Sequence, residues 1–379
     1  MDIPFLAERV ASMANVYDQR IKRVLSYLGE QKLDAVMITS PINIYYLTGF
    51  FSDPHERFMA LVFDGQKGLV QLFVPSLDLE SAAVATGVDG IIPVADTDQP
   101  YLILKDWVGR SIARLGLEKR KVSLFQADHL KDSFPDAALV DVEEFVMEMR
   151  LIKSPEDIQI VRRAIEIAEK VLHHGASKVL PGITEVEIAA EMEYQMKVLG
   201  AERPAFTTTV LSGPQSALPH GRPGQRKIQT GDFLLFDLGV FIGGYCSDIT
   251  RTFVVGEATE EQKKIYEAVR AGNQRGIEAV EAGKPIGQVD RAARTHIESA
   301  GYGPYFIHRV GHGLGLDVHE APSIHAQNET VMKTGFLFTI EPGVYVPGVG
   351  GVRIEDNVFI GEDGKAEVLT SYPKELVEL

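Results

Sequence analysis

Two carboxylates in the C-terminal half of the chain stand inside strongly apolar segments. Asp237 lies in "LLFDLGV" and Glu341 lies in "FLFTIEPGV". A carboxylate that leaves water needs a compensating partner, because the loss of its hydration costs several kcal/mol. Arginine is one candidate partner, and Arg251 and Arg353 lie close by in sequence. Divalent metal ions are the other candidate, and both alternatives stay open at this point.

The two apolar segments also resemble each other. When "GDFLLFDLGV" is aligned with "GFLFTIEPGV", Asp237 falls on Glu341. A second acid follows each of them, Asp248 in "SDITRTFVVGE" and Glu355 in "RIEDNVFIGE". An internal pseudo-twofold would bring the four carboxylates together, and two divalent ions about 3.5–4 Å apart would balance their charge. Chance similarity of two hydrophobic strands is the alternative, and the internal repeat alone does not exclude it.

Histidines cluster in the glycine-rich segment "HRVGHGLGLDVHEAP", which contains His308, His312 and His319. His312 lies between glycines, where the backbone can bend close to a site. His220 lies in another turn, "LPHGRP". A single imidazole among oxygen ligands favours Mn²⁺ or Co²⁺ over a structural zinc site. Acids and histidines together therefore indicate a candidate metal site.

The first part of the chain alternates predicted helices with apolar strands. Helices are predicted over residues 16–32 and in "LDLESAAVATG" and "YLILKDWVGRSIARLG", and strands in "LDAVMIT", "FMALVFD", "GLVQLFVP", "GIIPVAD" and "KVSLF". This alternation predicts an α/β domain over residues 1–145. Within it, "FFSDPHERF" places Asp53, His55 and Arg57 within five residues. Ser-Asp-Pro is typical of a turn, so a solvated turn is the first interpretation of this stretch.

A predicted connecting helix, "VEEFVMEMRLIK", leads to a second domain over residues 150–379. Ser154 is the predicted N-cap of a long helix, with Pro155 at its first position. Thr184 and Thr259 carry capping signatures at the starts of two further helices. "IGQVDRAARTHIESAG" predicts another helix, and strands with glycine turns lie between the helices. The second domain is therefore predicted to be α+β.

Composition excludes several classes of function. The chain has 379 residues and a formal net charge of −15, so it should repel nucleic acid and anionic membrane surfaces. Its single cysteine, Cys246, rules out an internal disulfide and fits a reducing compartment. The N-terminus lacks the apolar core of a signal peptide, and no run of eighteen apolar residues predicts a membrane span. A cytoplasmic location is expected.

The order of the motifs resembles one known family. Asp237, Asp248 eleven residues later, "GHGLGLDVHE", "TIEPG" and "VRIED" are similar to the pita-bread metallopeptidases, which include methionine aminopeptidase, aminopeptidase P and Xaa-Pro dipeptidase (prolidase). The first domain resembles the N-terminal domain that prolidases, aminopeptidase P and creatinase share. The resemblance implies a pita-bread α+β catalytic domain and five metal ligands. These are Asp237, Asp248, His312, Glu341 and Glu355.

The resemblance also implies the chemistry of the metal centre. Two divalent ions are expected per subunit, Mn²⁺ or Co²⁺ first and Zn²⁺ or Fe²⁺ as further options. Asp248 and Glu355 would be the bridging carboxylates. A metal-bridging water or hydroxide would be the nucleophile that attacks the scissile carbonyl.

Further residues match catalytic positions of the family. Glu341 would double as general base and pass the proton to the leaving amine. His220 and His319 would hold the substrate and stabilise the tetrahedral oxyanion. His308 and Arg353 match second-shell or substrate-contacting positions, and the forked donors of Arg353 would orient carboxylates. A core salt bridge for Arg353 and simple packing for His308 are the alternatives.

Several members of the family are disfavoured. Methionine aminopeptidase lacks the N-terminal domain, and creatinase has lost the metal ligands that are all present here. Five intact ligands also argue against a non-enzymatic binding protein on this fold. The short interval from Glu341 to Glu355, with "GGVRIED", is prolidase-like. We therefore expect hydrolysis of Xaa-Pro dipeptides, with aminopeptidase P or a hydrolase of a small non-peptide amide as alternatives.

In some bacterial prolidases, a similar Asp-Pro-His loop reaches the active site of the partner subunit. The resemblance therefore implies a homodimer in which Asp53, His55 and Arg57 limit substrate length. His55 or Arg57 would pair with the free carboxylate of a dipeptide. The sequence departs from some prolidases in one respect, because an Arg that follows their second histidine motif is replaced here by Ser323 and His325.

Overall fold

The computed structural model describes residues 3–379, with side chains from Met13 onward except that of Ala14. Its contacts divide the chain into two compact units, the first ending at Met149 and the second running from Arg150 to Leu379. Within the described residues, no helix is both long enough and apolar enough to cross a membrane.

The first unit is built on a six-stranded sheet. Its helices are α1 (Ile3–Glu30), α2 (Pro41–Thr48), α3 (Leu79–Ala85), α4 (Pro100–Val108) and α5 (Leu124–Ser133), and α6 (Glu143–Leu151) leads into the second unit. Its strands are β1 (Ala35–Ile38), β2 (Ala60–Asp64), β3 (Leu69–Pro75), β4 (Gly90–Val94), β5 (Arg114–Leu117) and β6 (Ala138–Asp141). The strand order is β4-β3-β2-β1-β5-β6, with β1 antiparallel to β2 and parallel to β5. The predicted α/β class is confirmed.

The element predictions for residues 101–125 were wrong. The helix predicted over residues 101–116 ends at Val108, because Gly109 adopts a left-handed conformation (φ 68°) and its N–H caps the Lys105 carbonyl. Residues Arg114–Leu117 form β5 instead, a buried strand parallel to β1. Two further elements were missed, α2 and β6.

"KVSLF" is not a strand, and its residues lead into α5. The Ser123 side chain accepts a hydrogen bond from the Gln126 backbone, and the Gln126 side chain accepts one from the Ser123 backbone. This capping box starts a helix, so the local cap outweighs the β preference of the flanking Val and Phe. The first helix also begins at Ile3 rather than at residue 16.

The second unit combines four long helices with small antiparallel sheets. The helices are α7 (Pro155–Ser177), α8 (Glu185–Val198), α9 (Glu260–Glu278) and α10 (Gly287–Ser299). The strands of its first half are β7 (Arg203–Pro204), β8 (Thr209–Ser212), β9 (Phe233–Leu238), β10 (Val240–Ile242), β11 (Tyr245–Cys246) and β12 (Ile249–Val254). Those of its second half are β13 (Gly311–Gly313), β14 (Glu320–Ile324), β15 (Leu337–Ile340), β16 (Gly343–Val346), β17 (Gly350–Arg353), β18 (Asp356–Ile360) and β19 (Ala366–Val368).

The predicted helix starts of the second unit are confirmed. The side chains of Ser154, Thr184 and Thr259 each accept a hydrogen bond from the backbone N–H three residues later, and the side chain of that later residue accepts one from the cap backbone. Such a box satisfies two of the backbone N–H groups that a helix start leaves unpaired.

The internal repeat of the sequence corresponds to two similar layers. Strand β9 pairs with β12, and β15 pairs with β18, both antiparallel. The first pair packs in one hydrophobic cluster with α7 and α8, through residues such as Phe236 and Val171. The second pair packs in another cluster with α9 and α10, through residues such as Phe338 and Val269. Each layer therefore presents the ends of one strand pair, where the repeated acids lie.

Candidate metal centre

The five predicted metal ligands lie at strand ends. Asp237 is in β9, Asp248 directly precedes β12, His312 is in β13, Glu341 directly follows β15, and Glu355 separates β17 from β18. Asp248, His312 and Glu355 are buried, and each offers one ligand atom within 4.8 Å of the others. This spacing suits ligands around a shared metal position.

The remaining two acids border this cluster. The Nε2 atom of His312 lies 3.3 Å from Glu341 Oε1 and 3.7 Å from Asp248 Oδ2. The Arg353 guanidinium donates to Asp237 through Nη2, and its Nε lies 4.0 Å from Glu341 Oε2. The structure therefore brings all five predicted ligands into one place, with Arg353 beside them.

Burial and mutual repulsion dominate the electrostatics of the cluster. Burial raises the pKa of Asp248 and of Glu355 well above the ordinary carboxyl range, and the neighbouring carboxylates raise both further. Burial also raises the pKa of Asp237, although Arg353 opposes it. For Glu341 burial acts in the same direction, but hydrogen bonding to His312 and the charge of Arg353 outweigh it and lower its pKa to about 2. Without further cations, these four acids do not readily ionise together.

Three carboxylate oxygens of the cluster lack a donor. Within the described residues, Asp237 Oδ1, Asp248 Oδ1 and Glu355 Oε1 are buried and accept no hydrogen bond. Buried polar atoms are rarely left without a partner, because their desolvation is then uncompensated. All three oxygens belong to predicted ligands, and two of these ligands, Asp248 and Glu355, share a cluster with the imidazole of His312. The donor set therefore fits hard or borderline divalent ions such as Mn²⁺ or Co²⁺.

A chain of hydrogen bonds orients the acids from behind. Arg353 Nε donates to Thr250 Oγ1 at 3.0 Å, and Thr250 Oγ1 donates to Glu355 Oε2 at 2.7 Å. Arg353 Nη1 donates to the Tyr345 hydroxyl at 3.0 Å. Because Arg353 also holds Asp237, one planar guanidinium fixes groups on three sides.

His308 closes the same chain. Its Nδ1 lies 2.7 Å from the Arg309 carbonyl oxygen, which can only accept, so Nδ1 carries a proton. Burial lowers the pKa of His308, so the ring is neutral near pH 7 and its Nε2 accepts. The Tyr345 hydroxyl, 3.0 Å away, is then the donor to Nε2. The buried Tyr345 thus links His308 to Arg353.

The other two predicted histidines are more exposed. The His319 ring centroid lies 3.9 Å from that of His312. Partial desolvation, together with His312 and Arg309, lowers the pKa of His319 to about 4, so the ring is neutral near pH 7. His220 is exposed in the loop between β8 and β9.

The structure adds residues that the sequence did not single out. Thr250 and Tyr345 belong to the chain described above, and the buried Asn357 accepts from Asp248 N at 3.3 Å and donates to the Asp248 carbonyl. Arg309 donates to Ser323 Oγ at 2.9 Å. Hydroxyls and amides are too common in sequence to stand out. Arg309 does carry a signal, since it is a cation within the glycine-rich histidine segment.

Arg309 lies on the metal-binding side of its sheet. Ser323 is directly opposite His312 in the β13–β14 pair, so these two side chains share a face. The Arg309 guanidinium is therefore bonded to the residue that pairs with His312 across the two strands. Within the described residues, no carboxylate pairs with Arg309, although it is half-buried. Its Nε and Nη2 donors are available for an anion.

The predicted loop residues lie in an exposed turn of the first unit. His55 has φ 53°, and its N–H donates to Asp53 Oδ1 at 3.1 Å. Arg57 is engaged by Asp96, through hydrogen bonds of 2.8 and 3.3 Å, and lies 3.2 Å from Glu56. The turn predicted from Ser-Asp-Pro is present. The substrate-binding role of Asp53, His55 and Arg57 stays a prediction.

Comparison with known proteins agrees with this site. Residues 159–362 match the model of metallopeptidase family M24, and residues 20–152 match the Creatinase/Prolidase N-terminal domain. The chain belongs to metallopeptidase family M24. The predicted fold, a creatinase-like N-terminal domain followed by a pita-bread catalytic domain, is thereby confirmed.

Relatives of this metallopeptidase match it over nearly its whole length. The Bacillus subtilis protein YkvY is 43% identical over 363 residues, which is 95% of this chain and 99% of its own. An Xaa-Pro dipeptidase from Bacillus anthracis is 33% identical with a TM-score of 0.88, covering 96% of this chain and 100% of its own. An X-Pro aminopeptidase from Thermotoga maritima is 32% identical with a TM-score of 0.85, covering 92% and 98%.

Proposed function

We propose that this metallopeptidase hydrolyses Xaa-Pro dipeptides with two divalent ions per subunit. The observation that carries the proposal is the buried cluster of four carboxylates, three of which have an oxygen without a donor among the described residues. Family membership and the similarity to an Xaa-Pro dipeptidase support the same reaction. The proposed metal ligands are Asp237, Asp248, His312, Glu341 and Glu355.

Mn²⁺ and Co²⁺ are the ions that this donor set favours, with Zn²⁺ and Fe²⁺ as further options. When bound, they would polarise the scissile carbonyl and lower the pKa of water enough to supply a nucleophile near pH 7. Asp248 and Glu355 would supply carboxylate oxygens to both ions. Thr250 holds one Glu355 oxygen, and Asn357 holds the Asp248 backbone, so both acids reach the centre in fixed orientations.

Glu341 is the proposed general base. Its lowered pKa keeps the carboxylate ionised at neutral pH. In this form it has acceptor oxygens, and its proposed role is to take a proton from the attacking water and to pass it to the leaving amine nitrogen. Arg353, 4.0 Å away, favours return of the carboxylate to its ionised form.

His319 and His220 are the proposed donors to the developing oxyanion. A neutral imidazole carries one N–H, so His319 can donate a hydrogen bond without being protonated. The neutral His308 is joined through Tyr345 to the charged Arg353, which holds Asp237 in place. None of these three residues needs to change its charge during the reaction.

A compact hairpin favours a dipeptidase over an aminopeptidase. Strands β16 and β17 connect Glu341 to Glu355, and Val346 pairs with Gly350 across a tight turn. We therefore see no long insert between these ligands, whereas aminopeptidase P commonly carries one. Arg309 supplies a second argument, because its guanidinium, which donates to the residue paired with His312, has no carboxylate partner among the described residues and suits the free carboxylate of a dipeptide.

Other parts of the proposal rest on the resemblance. It implies a cytoplasmic homodimer in which Asp53, His55 and Arg57 limit substrate length. Arg57 already pairs with Asp96, so Arg309 has the more available charge for the substrate carboxylate. An X-Pro aminopeptidase is the second candidate function, on the similarity to the Thermotoga maritima structure.

Hydrolysis of a matched substrate set tests the proposal. The Mn²⁺-loaded enzyme and a chelated control are incubated with Leu-Pro, Leu-Ala, Leu-Pro-Pro and a small cyclic amide. Chelator-sensitive cleavage of Leu-Pro, and not of the others, is expected. Preference for Leu-Pro-Pro would favour the aminopeptidase, and cleavage of the cyclic amide alone would overturn the peptide substrate class.

A further inference from the structure

The loop that carries His220 has little internal support. It connects β8, which ends at Ser212, to β9, which begins at Phe233. Around His220 the backbone hydrogen bonds are short-range ones, from Leu218 N to Gln215 O at 3.0 Å and from Gly221 N to Leu218 O at 2.9 Å. Because the imidazole is exposed, packing around the ring does not fix its position. The position of His220 therefore depends on contacts made elsewhere in the loop, which begins with a short 3₁₀ helix over Gly213–Ala217, and on contacts at the ends of the loop.

One buried carboxylate binds both ends. Glu185, the first residue of α8, is fully buried. Its Oε1 accepts from Ser212 N at 2.8 Å and from Ser212 Oγ at 2.7 Å, just before the loop. Its Oε2 accepts from Gly224 N at 3.1 Å, four residues after His220. The two oxygens of Glu185 therefore bridge the two sides of the loop.

Adjacent contacts extend the bridge. Val186 N donates to the Gly224 carbonyl at 3.1 Å, so the start of α8 binds this residue twice. On the other side of the loop, Gly351 N of β17 donates to Ser216 Oγ at 2.8 Å. Strand β17 ends at Arg353, beside the metal ligands. The His220 loop is thus fixed between α8 and the strand that leads to the site.

The surroundings of Glu185 do not offer a simpler reason for its burial. A buried carboxylate is costly unless it is paired or fully hydrogen-bonded. The neighbouring cation, Arg226, is bound by Asp232 through hydrogen bonds of 2.6 and 2.9 Å, and it is linked to Glu185 through the Ser212 hydroxyl, to which it donates at 2.5 Å. Glu185 instead satisfies backbone and hydroxyl donors on both sides of one loop.

We propose that Glu185 is a positioning residue for His220. The proposal rests on the catalytic role given to His220 under the proposed function. Glutamine at position 185 would keep the size of the side chain but would replace one acceptor oxygen with an NH₂ group. Either the Ser212 donors or the Gly224 N–H would then lose their acceptor, and the loop would be held less firmly on that side.

A double-mutant cycle tests this inference. Leu-Pro hydrolysis is measured for the Mn²⁺-loaded wild type, Glu185→Gln, His220→Ala and the double variant. The matched control is Glu187→Gln, two residues along α8, because the capping box at Thr259 already uses a glutamine in the same role. A side chain displaced by about 1 Å can cost on the order of a hundredfold in rate, so we expect Glu185→Gln to lower kcat at least about tenfold.

The expected pattern is specific. Glu185→Gln should lower kcat more than it raises KM, and it should have no further effect in the His220→Ala background. Hydrogen exchange of residues 213–224 should become faster in Glu185→Gln but not in Glu187→Gln. Bound Mn²⁺ should match that of the wild type.

Contrary results separate two failures. If His220→Ala cleaves Leu-Pro like the wild type, the proposed role of His220 is wrong and this inference falls with it. If His220→Ala is impaired but Glu185→Gln multiplies that loss, Glu185 does not act through His220. If Glu185→Gln does not fold, the same cycle with Ser212→Ala decides between coupling and independent loss. This variant removes the hydroxyl that donates to Glu185 and accepts from Arg226, and it leaves the Ser212 N–H bond to Glu185 in place.

Discussion

Replacing Glu320 by glutamine should strongly destabilise the catalytic unit. The Glu320 carboxylate accepts from Lys153 Nζ at 2.8 Å and also from Arg150, and these side chains are only 1%, 4% and 4% exposed. Glu320→Gln would leave two buried cations without this anion. Breaking a buried ion pair on one side costs about 3–5 kcal/mol. Asp317 still pairs with Arg150 at 2.8 Å, but it is 44% exposed and compensates only part of the loss. We therefore expect the free energy of unfolding to fall by about 3 kcal/mol.

The stability lost in Glu320→Gln should depend on pH, and it should become smaller in acidic solution. Burial acts to raise the pKa of Glu320, but Lys153 and Arg150 outweigh it and hold that pKa below the ordinary value. The stabilisation is therefore fully present above the unfolded-state pKa of about 4.3 and is lost as the pH falls through the lower folded-state pKa. The difference in free energy of unfolding between the wild type and Glu320→Gln should be constant from about pH 8 to pH 5. It should decrease only in more acidic solution.

Urea unfolding followed by far-UV circular dichroism measures this difference. The single tryptophan, Trp107, lies in the first unit, so its fluorescence follows that unit separately and should change less. Glu166→Gln is the control, because Glu166 pairs with Arg163 and Lys170 on the surface. These side chains are 47–54% exposed, and an exposed ion pair contributes at most about 1 kcal/mol to the free energy of unfolding. Equal losses for the two variants, or a gap that closes as pH rises, would refute the reasoning.

Three further predictions concern the site. Glu355→Gln should lower the Mn²⁺ stoichiometry, measured by metal analysis after dialysis, and unchanged stoichiometry would remove Glu355 from the ligand set. Arg309→Ala should raise KM for Leu-Pro about tenfold and leave KM for Leu-Pro amide unchanged, because only the former has a carboxylate to bind; equal effects on both would exclude Arg309 as the anchor. The double variant Asp53→Ala/His55→Ala should increase cleavage of Leu-Pro-Pro relative to Leu-Pro. An unchanged ratio would mean that this loop is a solvated turn without a role in substrate selection.

Two acids of the site could be predicted because they are charged residues within apolar segments. Asp237 and Glu341 interrupt apolar strands, and such a carboxylate demands a partner. The residues that orient them could not be found in the same way. Tyr345 and Thr250 lie in ordinary strand sequence, and only the fold places them between Arg353 and its neighbours.

The position of the proposed substrate anchor, Arg309, shows a similar limit. The sequence directs attention to the residues after His319, where Ser323 and His325 offer no fixed cation. In the structure, Ser323 accepts from Arg309, which lies fourteen residues earlier in the chain. Strand pairing between β13 and β14 creates this neighbourhood, and single-sequence patterns do not contain it.

Fold predictions failed where local signals competed. The helix predicted over residues 101–116 is favoured by its apolar spacing, but Gly109 ends the helix and "ARLGL" then completes a parallel strand. "KVSLF" contains β-favouring residues, yet Ser123 and Gln126 cap a helix there. In both segments, a turn or cap decides which element forms. A pattern of residue propensities gives such single residues little weight.

Charge balance links the fold to the metal centre. The sequence offers two nearby arginines, but Arg251 is bound by Asp356 at 2.8 Å, and Lys374 also pairs with Asp356 at 3.0 Å. Of these two, Arg353 alone therefore faces the four carboxylates of the site. One guanidinium cannot neutralise four neighbouring carboxylates, so burial together with repulsion among these acids raises the pKa of Asp248 and of Glu355. Because the packed strands fix these acids in place, divalent ions provide the missing charge more readily than any rearrangement of the fold.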